Sequence, residues 1–237
     1  GEKLEISLTP RTAYYVRVEV TGDNGDTAAC ETAYFETGKM DEPWSAKWIG
    51  AEEGDSVHPV LKKTVNVEKA VKQARFYGTG VGMFELYLNG KKVGNEYLAP
   101  YLTDYESCIQ VITYPLSELV KGENTVEIML GRGWYMGLFG LDLKRDNFGT
   151  RMAAIAELHI EYEDGTTDVV VTDETWEYCG SFIEDSGIYD GEIQNKLLYE
   201  AEDGTVNNPV KKAVVIEPSD DPSVKNIKTE NLMDRIS

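Results

Sequence analysis

The residue types that build most reactive centres are scarce in this chain. Its 237 residues include only two histidines, His58 and His159, and three cysteines, Cys30, Cys108 and Cys179. No Cys-x-x-Cys pair occurs, so a thiolate zinc cluster has no ligand set. Three widely spaced cysteines make no disulfide framework, which leans towards a reducing compartment. No apolar run approaches the length of about 20 residues that a membrane-spanning helix needs. A Gly-x-Ser-x-Gly elbow is missing, and the Gly-rich stretch at 131–140 lacks the Lys-Ser/Thr ending of a phosphate-cradling loop. Basic residues are outnumbered: 23 Lys and Arg face 42 Asp and Glu, a net charge of −19. That balance repels nucleic acid and anionic membrane surfaces. It also favours neutral ligands over charged polyuronates.

Helical periodicity is nearly absent, and alternation takes its place. Phe84, Leu86 and Leu88 point one way while Glu85, Tyr87 and Asn89 point the other, the period of a strand with one buried face. Asn89-Gly90 supplies the positive φ angles of a type I′ turn. Val93 and Gly94 begin the return, and Pro100 takes the chain out of the ladder. Val126, Ile128 and Leu130 alternate in the same way after a turn at Gly122-Glu123-Asn124. Further strands are expected at 59–67, 70–76, 109–114, 152–162, 169–172 and 214–216. Pro115 is placed to start one short helical turn over 115–120. Residues 131–149 are expected to form a long loop of the kind that is functional or floppy. Many short strands separated by Gly, Asn and Asp turns predict an all-β, antiparallel sandwich or barrel.

Residues 1–38 stand apart as an alternating hairpin around Asp23-Asn24-Gly25-Asp26. A polar stretch, 218–237, reads as a linker into a further domain. The chain opens Gly1-Glu2 with no methionine or signal sequence, and so reads as a piece of something longer.

Few residues offer chemistry. Both histidines read as satisfied or solvated side chains. Glu184, Asp185, Asp190 and Glu192 are close in sequence, but a solvated acidic loop explains them better than a glycosidase pair. Asp104, Asp146 and Asn147 offer loop oxygens of the kind calcium prefers. Trp44 and Trp48 read as packing residues. Trp134 is expected to plug one end of the core, with a sugar platform as the alternative.

Several motifs in order carry a resemblance: WSAKWIG at 44–50, ARFYGTGVGMFELYLNG at 74–90, YLNGKKVGNEYLAPYLTDY at 87–105, KGENTVEIMLGRGWYMG at 121–137 and IYDGE at 188–192. Together they resemble the N-terminal β-sandwich domain of bacterial α-L-rhamnosidases over residues 42–217. Residues 8–38, through Pro10, Tyr14 and the closing Phe35-Glu36-Thr37-Gly38, resemble the C-terminal part of a fibronectin type III domain. The resemblance implies a jelly-roll sandwich, with catalysis in an (α/α)₆ barrel that no segment here matches. It therefore implies a non-catalytic accessory domain and a parent that hydrolyses terminal α-L-rhamnosides. Its partners would be a rhamnose-containing glycoside and the remaining domains of the same polypeptide.

Some family sandwiches bind L-rhamnose through calcium and others are only structural; both remain open here. No cofactor is required, and calcium is the ion implied, with Asp104, Asp146 and Asn147 as its ligands. Asp104, Trp134, Asn147 and Glu192 are the candidate sugar-binding residues. One departure stands out. Where the family continues with Thr-Tyr-Asp-Ala-Arg after its Gly-Glu, this chain has Ile193-Gln194-Asn195-Lys196-Leu197.

Overall fold

The structure, a computed structural model, describes residues 5–55, 58–198, 208–218, 224, 229 and 232–234. The chain divides into two compact units, Gly1–Pro43 and Trp44–Ser237. In the first, Ala13–Val16 pairs antiparallel with Ala33–Glu36, and Glu19–Thr21 pairs with Thr27–Ala29. The turn between them closes where expected, with Gly22 N–H on the Asp26 carbonyl at 2.8 Å. Tyr14 stacks on Phe35 at 5.1 Å and gives this small unit an apolar face.

The second unit is a β-sandwich. One sheet orders its strands Lys211–Lys212, Glu177–Gly180, Pro59–Val67, Gly122–Gly131, Met83–Leu88, Lys91–Lys92. The other runs Val214–Val215, Ile49–Gly50, Ala153–Tyr162, Val71–Val81, Ile109–Pro115, Leu232–Asp234, with Thr167–Val171 also pairing Ala153–Tyr162. Register explains the first sheet's two faces. Tyr178, Leu61, Ile128 and Leu86 form one inward rung and are all buried. The adjacent outward rung reads Lys212, Glu177, Lys62, Glu127, Tyr87, Lys92. Lys212–Glu177 at 2.9 Å and Lys62–Glu127 at 3.5 Å alternate charge across it. Exposed pairs of this kind contribute only about 0–1 kcal/mol each. Burial of the inward rung therefore decides the register, because a slip of one residue would exchange the two faces.

The second sheet is covered on both sides near its centre. Gly80 lies against Leu130 and Phe84 of the facing sheet, where a Cβ would meet them at 3.1 and 3.3 Å. On the other side Glu157 is buried and accepts from Ser45 N–H (2.6 Å) and pairs with His159 Nε2 (2.9 Å). Residues 44–48 thus cross this face, which is why Trp48 is buried.

Three expectations are corrected. Residues 115–120 do not form a helical turn: Pro115 ends a strand, and a single Leu119 N–H to Leu116 C=O bond (3.1 Å) closes a bend. The pattern there is too short to pay for helix nucleation, and Leu116 and Leu119 are buried by the sandwich instead. Among the described residues, the α-helix lies in the expected loop, at Gly133–Met136. Finally, 218–237 is not wholly a linker. Leu232–Asp234 pairs in parallel with Ile109–Val111, because Leu232 has an apolar site to fill beside Ile109. Most other residues of that stretch lie outside the described ones.

Candidate functional site

The Gly122–Gly131 and Met83–Leu88 strands meet at one end of the sandwich, with Gly131 opposite Met83. The chain leaves there through Gly131-Arg132-Gly133, and the two backbones come very close. Gly82 has φ +103°, and a Cβ on it would collide with the Gly131 carbonyl oxygen. Gly133 has φ +52°, and a Cβ on it would meet Met83 Cγ at 2.6 Å. Only glycine suits both positions. The resulting turn drives Tyr135 into the end of the core, where it is fully buried. Tyr135 meets Tyr105 edge-on at 5.1 Å, and Tyr105 packs on Phe148 at 4.9 Å. Burial pushes the Tyr105 phenol well above its usual range.

The plug is therefore Tyr135, and Trp134 is half-buried beside it. Strand alternation past Leu130 pointed to Trp134; the turn at Gly133 shifts the phase by one residue.

These rings join two loops. Tyr105 follows Asp104, and Phe148 follows Asn147, so the segments bearing the predicted oxygens come to the same end. Asp104 is exposed, and its carboxylate accepts Glu106 N–H at 3.2 Å and Ser107 Oγ at 2.8 Å. Asp146 is exposed with φ +57°, and its N–H bonds to the Met136 carbonyl at 3.1 Å. The Asn147 amide donates to the Lys144 carbonyl at 2.8 Å, which leaves its own oxygen pointing away from that bond. These oxygens fit a hard cation in kind. Among the described residues no three His, Cys, Asp or Glu side chains gather as a metal set. A cation would therefore also draw on Asn147 and backbone carbonyls.

A hairpin, Ile183–Gly187 paired with Gly191–Gln194, stands next to this loop. Arg145 pairs with Asp190 and reaches Asp185 at 3.5 Å, while Arg132 Nε lies 3.2 Å from the other Asp185 oxygen. Behind this network His58 is fully buried, with Nε2 at 2.8 Å from Ser186 Oγ. Burial lowers its pKa to about 4; Arg132 pushes the same way, and Asp185 and Glu192 oppose it. Glu192 sits opposite Ser186 in the hairpin and is exposed. Glu184 is exposed and accepts from Asn195. The four acids thus split between ion pairs and solvent.

The IYDGE motif announced Asp190, but its partner Arg145 lies 45 residues earlier and no local pattern links them. Likewise, 128 residues separate His58 from Ser186.

The profile of the α-L-rhamnosidase N-terminal domain matches residues 69–218, more than half of the chain. That of the Rha78A-like N-terminal immunoglobulin domain matches residues 4–41, the piece read as fibronectin-like. An α-L-rhamnosidase of Alteromonas sp. (strain LOR) is 33% identical over 200 residues, covering 78% of this chain and 22% of that protein. The α-L-rhamnosidase of Dictyoglumus thermophilum superposes with a TM-score of 0.79 at 26% identity, over 97% of this chain and 27% of that one. The Aspergillus terreus enzyme shares the fold, with a TM-score of 0.81 at 24% identity, over 95% of this chain and 27% of that one. The chain thus spans only about a quarter of the length of these three rhamnosidases. It belongs to the family of α-L-rhamnosidase N-terminal domains.

Proposed function

We propose that this sandwich is a non-catalytic, sugar-binding accessory module of a longer α-L-rhamnosidase, and that it engages a rhamnose-containing glycoside. The observation that carries the reading is the Tyr105–Tyr135–Phe148 contact, which brings the Asp104 and Asp146-Asn147 loops to one end of the sandwich. Asp104, Asp146 and Asn147 are the residues that would hold a calcium ion there. The ion would supply a positive centre for vicinal hydroxyls, a chemistry suited to a neutral sugar. Trp134, which is half-buried, and Glu192, which is exposed, would be the secondary sugar contacts. In an isolated 237-residue chain this reading expects no turnover of p-nitrophenyl α-L-rhamnoside.

A second reading is a purely structural module packed on the catalytic barrel of its parent. It draws on Leu141 and Leu143, which are exposed in the same loop. Calorimetric titration with L-rhamnose, with and without calcium chloride, separates the two. Binding that needs calcium and is lost in Asp146→Ala and Asn147→Ala supports the sugar module. No heat of binding in either condition would sink it in favour of the structural reading.

A further inference from the structure

The IYDGE hairpin holds none of the calcium oxygens assigned above, yet it forms ion pairs with the loop that does. We propose that Arg145 and Asp190, backed by Arg132 and Asp185, form a clamp that aims Asp146 and Asn147. This rests on the sugar-module reading of the site.

Three observations support the clamp. The first is how little else holds the loop. Residues 140–144 and 146–147 are exposed. Their backbone ties back through Asp146 N–H to Met136 C=O (3.1 Å) and Phe148 N–H to Tyr135 C=O (3.4 Å). The second bond is long, and neither sets the direction of the Arg145 and Asp146 side chains; Asn147 is held within the loop, by its amide on the Lys144 carbonyl. Arg145, next to Asp146 in sequence, fastens the tip to the hairpin through Asp190 and Asp185.

The second observation is that the hairpin is held on its far side. A two-stranded hairpin by itself is marginal in water, and every residue of Gly191–Gln194 is exposed. Its anchors are His58 on Ser186 and Arg132 on Asp185. Asp190 therefore transmits the position of the core to the loop.

The third is the room made for Asp190. A Cβ on Gly187 would meet the Asp190 carboxylate at 3.2 Å, so the turn closes inward onto the hairpin's own start. A guanidinium that bridges two carboxylates fixes direction as well as distance, which a lysine would not. Arg145 and Asp190 are thus positioning residues. They stand behind the loop oxygens as outer partners stand behind metal ligands, where their loss costs about 10–100-fold in affinity.

The test uses the 237-residue chain and its variants Arg145→Gln, Asp190→Asn and the double variant. Three quantities are measured: affinity for L-rhamnose in calcium chloride, melting temperature, and amide exchange of residues 139–148. Affinity should fall about 10–100-fold in each single variant. The double variant should fall no further, and melting should be unchanged, because a partly exposed pair contributes little to global stability. Arg145→Lys should recover only part of the loss. Wild-type affinity in both single variants would overturn the clamp. Absence of rhamnose binding in the wild-type chain would overturn the sugar reading instead. The clamp is then judged by exchange: faster exchange at 139–148 in Asp190→Asn supports it, and unchanged protection refutes it.

Discussion

Acidification from about pH 7 to about pH 4 should weaken the sandwich by about 3 kcal/mol through one imidazole, His58. In the folded protein its pKa falls from an ordinary 6.5 to about 4. Burial is the main cause. The side chain is fully enclosed, and its Nε2 meets Ser186 Oγ at 2.8 Å. Arg132 adds repulsion, and the carboxylates of Asp185 and Glu192 offset part of it. The unfolded chain takes up a proton near 6.5, whereas the folded chain resists until about 4. The stabilisation is therefore complete above 6.5 and is lost as pH falls through that window. A separation of about 2.5 pH units at about 1.4 kcal/mol per unit gives about 3.5 kcal/mol in full, of which about 3 kcal/mol is lost by about pH 4, where the folded imidazole is half protonated.

The assay is urea unfolding followed by tryptophan fluorescence across that range, for the wild type and for His58→Gln. All four tryptophans, Trp44, Trp48, Trp134 and Trp176, lie in the sandwich, so the signal reports that unit. Subtracting the variant removes the shared titration of carboxylates. The wild type should lose about 3 kcal/mol more than His58→Gln between about pH 7 and about pH 4. Parallel stability profiles for the two proteins would refute the reasoning. So would an imidazole resonance for His58 that titrates near 6.5 in the folded chain.

Three further outcomes follow from packing and exposure. Tyr135→Ala should cost about 3–5 kcal/mol in the same urea assay, because it empties a fully buried aromatic site, while Trp134→Ala should cost distinctly less. Equal losses would return the plug to Trp134. Gly82→Ala should destabilise by more than about 1 kcal/mol, since its φ is +103° and its Cβ would strike the Gly131 carbonyl. Gly165→Ala, at φ +80° with open space around it, should cost only the backbone strain, and a thermal melt of each separates the two. Among the cysteines, exposed Cys30 should react first with Ellman's reagent; burial raises the Cys179 thiol and should slow it, so simultaneous labelling would contradict the packing.

Much of the sandwich was legible from local pattern. The alternation at Phe84, Leu86 and Leu88 and at Val126, Ile128 and Leu130 needs only that one face be buried, and all six are. Asn89 at φ +52° and Gly90 at φ +75° turn the chain as their side chains allow. What pattern could not supply was phase beyond a break. Alternation counted through Gly131 and Gly133 selects Trp134, yet the tight approach of Gly82 turns the chain and buries Tyr135.

Composition and motif order also determined the family, since that depends on residues present and their sequence. Tertiary structure alone decided the partners. Arg145 with Asp190, Arg132 with Asp185 and His58 with Ser186 come from different strands and loops, far apart in sequence, and only the tertiary fold brings each pair together. A polar side chain's partner is set by which backbones meet, and that depends on packing distributed over the whole core.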